Sequence, residues 1–366
     1  MSSILKLIAK GLLFCVPLLA FMVYTSYTVD PVGLFHGDQF ARNAVEILLE
    51  GEYAVSNYDS LEYYTRDISE ALIMNADTFD TIVIGSSRSM QIDAEMAGEY
   101  YRFFNFGAVG GDYQDLYGIF YLCVREDKIP KRVVLCLDPW MFNTDIIDDR
   151  SNRDWYLAFV KGELGFEIDY ELPNPTARWK ALLDISYFQS SVAYYRRDTG
   201  NDLIPSAVPL EDVYHQDSTI KMPDGTVVYE EEFRNRPLSD ISGELYIHTQ
   251  HANFYSFRVL DYMQPSPELQ AQFEAYIEYM QARGVEVIFY LPPYAPPIYD
   301  VLLEHEEDNR GVFLTEEYLR TIAAENGIEV YGSYNPHSLD LETADFYDGL
   351  HLRPEATIRF FRLTQR

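Results

Sequence analysis

The chain reads as a mixed α/β protein with a mainly parallel sheet, and three observations predict this. Short β-branched runs recur at residues 81–84 (TIVI), 132–137 (RVVLCL) and 285–291 (VEVIFYL), each the length of a strand buried on both faces. Between them lie stretches with apolar residues at helical spacing, bracketed by cap and stop residues. The alternation is interrupted once, from Met141 to about Gln264. Strands and helices that alternate in this way build a parallel sheet covered on both faces.

Taken in order, residues 11–29 carry no charge and follow Lys6 and Lys10. That is about the length that crosses a bilayer as a helix, and cations on the amino side favour a cytoplasmic start. Residues 1–29 are therefore expected to be a membrane anchor, with residues 30–366 forming the extracytoplasmic domain. A cleaved signal peptide is the rival, because Thr25, Ser26 and Thr28 thin out the last turn, but no small-x-small cleavage site follows.

Residues 38–50 and 60–73 have helical spacing, with Phe40, Ala44, Ile47 and Leu48 on one face of the first. After the strand at 81–84, a second candidate strand at 102–106 runs into the glycine-rich NFGAVGGD. Asp112 is placed to cap the next helix, in which Leu116, Phe120 and Cys123 repeat at helical intervals. The third strand, 132–137, stops at Asp138, Pro139 and Trp140.

Region 141–264 reads as an insertion that caps the crevice, with one helix over 176–196 and hairpin turn chemistry at Pro223-Asp224-Gly225 before the β-prone 226–229. Its tyrosines, with Trp155 and Trp179, suit either stacking on sugar faces or a local core. Alternation resumes with Ser266, Pro267 and Gly284 bracketing a helix, a strand at 285–291 stopped by Pro292-Pro293, and a helix capped at Thr315 and closed by Gly327. A fifth strand at 328–331 and a terminal helix opened by Pro354 complete the chain.

The formal charge is -30, and neither Asp nor Glu occurs before Asp30. Such a body is repelled by nucleic acid and by anionic membrane surfaces, and both are discounted as partners. Solubility is the simpler reason for the acidity. Cys15, Cys123 and Cys136 do not make a disulfide framework, and no Cys and His set has the close spacing of a structural zinc site. His248 and His251 in YIHTQH are the nearest approach to a ligand pair and read as two ordinary histidines. No cofactor and no metal are expected.

The stretch that organises the chain is TIVIGSSRSM, residues 81–90. It places Ser86 and Ser87 at the carboxyl end of a strand, the edge where open α/β sheets bind ligands. On this stretch alone the serines are helix caps. The far end of the chain changes that reading. Asp348 and His351 lie three apart in DGLH, so the carboxylate can fold back onto one ring nitrogen while the other faces outward. A serine hydroxyl needs such a base, and the base needs a third group to fix its tautomer. Backbone amides in a glycine-rich turn can meet a developing oxyanion, and NFGAVGG, residues 105–111, is such a turn after a strand.

At these residues the chain resembles the SGNH/GDSL hydrolase superfamily. Gly85-Ser86-Ser87 is similar to its GDS block, which maps the nucleophile to Ser87. NFGAVGG is similar to its second block, with the amides of Gly110 and Ser87 as oxyanion donors, and DGLH is similar to its Asp-x-x-His block. The resemblance covers about 81–140 and 266–366 and implies a three-layer α/β/α sandwich of flavodoxin-like style. One departure matters: where the family has Gly-x-Asn-Asp after the third strand, this chain has LDPWMFN, without the expected asparagine donor in that block.

Ser86 in place of the usual aspartate, the Pro139-Trp140 pair and the anchor make the chain more like the membrane-bound subset that includes DltD of teichoic acid synthesis and the alginate O-acetylation proteins. The resemblance implies a serine esterase or O-acyltransferase acting on acyl esters of a cell-envelope polysaccharide beside a membrane-bound O-acyltransferase. In it, Ser87, His351 and Asp348 are catalytic. Arg88, Asn105, Asp138 and Trp140 border these motifs and are candidates to line the cleft; for Arg88, support of the loop is preferred to holding a carboxylate, and Asp138 is the second-choice carboxylate partner. The other class of function for the same fold is a non-catalytic protein that binds glycan or docks the acyltransferase.

Overall fold

Nine strands form among the described residues: β1 (Tyr53–Ser56), β2 (Thr81–Ile84), β3 (Phe103–Asn105), β4 (Arg132–Cys136), β5 (Ser206–Pro209), β6 (Ile220–Lys221), β7 (Val227–Val228), β8 (Glu286–Leu291) and β9 (Glu329–Gly332). In this computed structural model those residues are 2–31, 34–35, 39–56, 58–98, 102–147, 151–168, 178–197, 205–250 and 262–363. The helices are α1 (Ser2–Val29), α2 (Gln39–Glu50), α3 (Tyr58–Asn75), α4 (Tyr113–Arg125), α5 (Arg153–Gly162), α6 (Arg178–Ala181), α7 (Ile185–Arg197), α8 (Glu231–Arg234), α9 (Leu238–Gln250), α10 (Pro267–Ala282), α11 (Pro296–Glu304), α12 (Arg310–Asn326) and α13 (Pro354–Thr357).

The five strands expected from the alternation are β2, β3, β4, β8 and β9. They pair in parallel in the order β3-β2-β4-β8-β9. The direction of strand addition reverses between β2 and β4, which opens a crevice at their carboxyl ends.

Alternate side chains of each strand enter two cores, as the two-residue period requires. Ile82, Ile84, Val133, Leu135, Val287 and Phe289 pack with the helices in the large one. Val83, Val134, Cys136, Ile288 and Tyr290 pack in the small one with Ile92, Met96, Phe361 and Leu363. The sheet is thus covered on both faces, but unevenly. The second face carries an irregular segment, the single turn α13 and the residues after it. At about 1.5–3 kcal/mol for each fully buried large side chain, the helical face holds most of the hydrophobic stabilisation.

Local chemistry explains several element ends. Asp112 caps α4 by accepting from the Gln114 amide at 2.8 Å, reciprocated by Asp115 in a capping box. Ser266 caps α10, where Pro267 fills the first turn. The expected start at Thr315 is displaced: α12 begins at Arg310, and the Thr315 hydroxyl lies inside it, bonded to the Gly311 carbonyl. The helix expected over 176–196 is broken into α6 and α7, because the Asp184 carboxylate accepts the Ser186 and Tyr187 amides and restarts the helix. Thr176 and His251 lie outside the described residues.

A small antiparallel sheet, β5-β1-β6-β7, has no counterpart in the expected alternation. Its strands are short, and β1 pairs with β5 and β6 from more than a hundred and fifty positions away. The expected hairpin does form, with Gly225 at φ +82°. The Asn105 amide donates to the Asp224 carbonyl at 2.8 Å, so the hairpin tip covers the exposed edge of the main sheet. Within region 141–264, α5 sends Tyr156, Leu157, Phe159 and Val160 into the large core. The hairpin and α8 lie beside the crevice.

Residues 2–29 are helical, as the anchor reading requires, but among the described residues no helix is long and apolar enough to cross a membrane. Pro17 lies inside α1, hydroxyl-bearing residues fill its last turns, and Ser26 is fully buried.

Candidate active site

The site begins where β2 meets a close approach. A Cβ on Gly85 would sit 2.4 Å from the Cys136 Cβ of β4, so only glycine lets the two strand ends converge. The next two serines divide the work. Ser86 is extended and its hydroxyl accepts the Arg88 amide at 3.2 Å, which makes it the cap of a 3-10 turn, Ser87–Ser89. Ser87 opens that turn, so its own amide is not used by the turn's bonds and its hydroxyl is left to point outward.

His351 arrives from 264 positions away, and its Nε2 lies 2.8 Å from Ser87 Oγ. The ring's Nδ1 lies 2.7 Å from Asp348 Oδ2. Asp348 Oδ1 accepts the amides of Leu350 and His351, each at 2.7 Å, which folds the carboxylate back onto its own loop. With Nδ1 facing a carboxylate, the hydrogen-bond pattern places the ring proton there and leaves Nε2 to accept from the serine. Burial pushes the Asp348 carboxyl upward, but the His351 ring and the two amides outweigh it and bring it down to about 2. It is therefore ionised at neutral pH.

The glycine-rich turn packs directly on the backbone that leads into Ser87. The Ala108 amide donates to the Gly85 carbonyl at 2.9 Å, and a Cβ on Gly111 would meet Gly85 and Ser86 backbone within 3 Å. Gly110 lies in this turn at φ +65°, and Val109 lines the same cleft as Ser87. From below, Arg66 forks onto Asp115 at 2.8 and 2.7 Å and donates to the Val109 carbonyl at 3.3 Å.

The residues expected to line the cleft do not do so. Arg88, Asn105, Asp138 and Trp140 are all buried. The Arg88 guanidinium pairs with Asp138 Oδ1 at 2.8 Å, donates to the carbonyls of Pro292, Pro293 and Leu350, and lies 4.5 Å over the Tyr294 ring. It ties together the loops after β2, β4 and β8 and the loop that carries His351. Of the two roles weighed for Arg88, loop support is therefore the one the geometry shows, and Asp138 is engaged with Arg88. Asn105 donates to the carbonyls of Ser89 and Ile92 and accepts the Gly107 amide, and Trp140 Nε1 donates to the Gly111 carbonyl at 2.9 Å. Arg88, Asn105 and Trp140 hold backbone in place behind the site, and Asp138 holds Arg88.

The cleft itself, about 230 Å3, is lined by Ser87, Asp348 and His351 together with Met90, Val109, Thr219, Tyr229, Glu230 and Phe233. The last four come from region 141–264. Tyr229 meets the His351 ring edge to face at 5.9 Å, and Glu230 accepts the Thr219 hydroxyl at 2.5 Å. Sequence reasoning missed these four, since no local period links a loop after a hairpin to a serine so far upstream. Among the described residues no group of three or more His, Cys, Asp or Glu is placed to hold a metal ion. No protein-family model matches the chain, and no curated protein matches it.

Proposed function

We propose that this chain is a serine esterase or O-acyltransferase of the SGNH type, acting on acyl esters of a cell-envelope polysaccharide while held at a membrane by α1. The observation that carries the reading is the relay from Ser87 Oγ to His351 Nε2 at 2.8 Å and from His351 Nδ1 to Asp348 Oδ2 at 2.7 Å. The strand order supports the resemblance: numbered within the main sheet it is 2-1-3-4-5, the flavodoxin-like order, with the serine next to the point of reversal.

In this mechanism Ser87 Oγ bonds to the ester carbonyl carbon as its proton moves to His351 Nε2. Asp348 stabilises the imidazolium that forms. The amides of Ser87 and Gly110 receive the oxyanion, and donors of this kind contribute about 3–4 kcal/mol each. The ester C–O bond then breaks and His351 returns the proton to the leaving alcohol. Water or a sugar hydroxyl next bonds to the acyl carbon as its proton moves to His351, the Ser87 Oγ–acyl bond breaks and Ser87 Oγ takes that proton back; which acceptor enters distinguishes hydrolysis from transfer. A membrane-bound O-acyltransferase is the proposed partner in the transfer version, and the cell envelope outside the cytoplasm the proposed location.

The test is labelling by a serine-directed fluorophosphonate. The purified full chain is expected to label, and Ser87→Ala to label less than about one-hundredth as fast. A wild-type chain that stays unlabelled, under conditions in which a known esterase reacts, overturns the catalytic reading in favour of a glycan-binding or docking protein.

A further inference from the structure

Helix α1 is docked on the domain by its carboxyl-terminal part, while the described side chains of residues 13–21 are all exposed. Its Phe21 meets Phe188 of α7 edge to face at 6.1 Å, and the Tyr187 hydroxyl donates to Asp30 Oδ1 at 2.6 Å. Near the end of α1, Tyr27 stacks on Trp179 of α6 with ring planes 10° apart, and Phe35 lies 5.3 Å from both rings. The end of α1 and the corner between α6 and α7 are thus one packed unit.

The outer side of that unit is apolar. Of the 21 large hydrophobic side chains exposed among the described residues, 11 fall within residues 13–34 and 179–185. Trp179, Leu183 and Ile185 are 50%, 63% and 67% exposed. An apolar surface of this extent marks a contact face. Its charge differs from that of the remainder: in a chain of net charge -30, Trp179 is flanked by exposed Arg178 and Lys180, no acidic residue precedes Asp30, and the exposed Asp184 of the corner has its carboxylate turned onto the amides of Ser186 and Tyr187. The Arg178 guanidinium lies 5.6 Å over the Trp179 ring. An exposed tryptophan between two long cations, next to aliphatic side chains, matches the boundary between acyl chains and lipid phosphates, where aromatics sit at headgroup level and cations reach outward.

We propose that the exposed part of α1 and the α6–α7 corner form a single lipid-contacting surface on a phospholipid bilayer. Trp179 lies at headgroup depth, Leu183 and Ile185 reach the acyl boundary, and Arg178 and Lys180 meet lipid phosphates. A second copy of this chain is the weaker occupant, because a two-fold contact would set these cations against their own counterparts. The inference rests on membrane attachment through α1 and adds a second point of contact, which fixes how the domain is oriented on the surface. It does not depend on the catalytic reading.

The full chain is reconstituted into phosphatidylcholine vesicles carrying a nitroxide at acyl carbon 5 or carbon 16. The Trp179 emission is isolated as the difference between wild type and Trp179→Phe, since Trp140 is buried and Trp155 is packed against the core. The expected result is a blue shift and at least twofold stronger quenching by the shallow nitroxide than by the deep one. The double variant Arg178→Glu/Lys180→Glu is expected to lose more than half of that quenching. Vesicle binding without nitroxide quenching of Trp179 overturns this inference and leaves attachment through α1 standing. Absence of vesicle binding overturns both. Quenching unchanged in the double variant overturns the phosphate contacts, and hence the orientation proposed. Shielding of Trp179 without nitroxide quenching, accompanied by a doubled mass in sedimentation, replaces the bilayer by a second copy.

Discussion

Two carboxylates lie at the carboxyl end of the main sheet, each beside a cation or a base, and they do different things. Asp138 ends β4 fully buried and faces Arg88, a group that stays charged at any accessible pH. Asp348 lies in a later loop with its side chain 21% exposed and faces His351, whose other nitrogen reaches Ser87. The first pair cannot exchange a proton and is shut away from any ligand. It positions four loops. The second has an imidazole for a partner, hydrogen-bonded on its other side to Ser87, and a side open to a cleft. Chemistry at a strand end therefore needs more than a carboxylate in the right place. It needs a partner able to gain and lose a proton, and access.

Substitutions sharpen this comparison, the largest expected effect coming from Asp348→Asn. An amide at this position favours the wrong tautomer of His351 and is expected to slow ester turnover by on the order of 10⁴-fold, measured as kcat/KM on a chromogenic ester. The accompanying loss of stability is about 2 kcal/mol, the value of holding this carboxyl at about 2 when the unfolded value is near 3.8. Because the folded carboxyl is depressed, its contribution is complete above the unfolded value and is lost as pH falls from about 4 towards 2. Urea midpoints of wild type and Asp348→Asn should hold a constant separation above pH 5 and converge below pH 3. Midpoints still separated to the same extent at pH 2 would remove this carboxylate from the linkage.

Arg88→Met acts on the other pair. It leaves Asp138 as a buried charge without its partner, with an expected loss of about 3–5 kcal/mol read from the urea midpoint. The double variant Arg88→Met/Asp138→Leu should recover most of this stability. Activity that survives in the folded double variant would show that the tie can be replaced by packing. If the double variant is no more stable than the single one, the carbonyl contacts of Arg88, rather than its charge, hold the loops. The smallest expected effect is at the cleft wall. Phe233→Ala is expected to raise KM by about fivefold, roughly 1 kcal/mol of apolar contact, with kcat within a factor of two. A change carried by kcat alone would place Phe233 against the reacting atoms instead.

What could be read in the chain and what could not divides by range. The pairing of Asp348 with His351 was legible because three positions suffice for a carboxylate to fold back on a ring. The caps at Asp112 and Ser266 were legible for the same reason, as side chains bonding amides two or three positions on. Asp138 and Asp348 looked alike, since nothing local distinguishes a strand-end aspartate facing an arginine from one facing a histidine. Asn105, Asp138 and Trp140 were misplaced into the cleft because side chains near a motif look functional, whereas Asn105 donates to carbonyls 13 and 16 positions away and Arg88 to carbonyls 204 to 262 positions away.

By itself the sequence determined the strand and helix alternation, the break in the chain at Gly85, and the Asp348–His351 spacing, all of which follow from backbone geometry within a few residues. Tertiary structure alone decided that the hydroxyl of Ser87 meets that imidazole, that Tyr229 and Phe233 wall the cleft, and that Arg88 is a tie. Those outcomes depend on which distant surfaces pack together. Packing selects among many locally equivalent arrangements by the apolar area it buries and the polar groups it leaves satisfied.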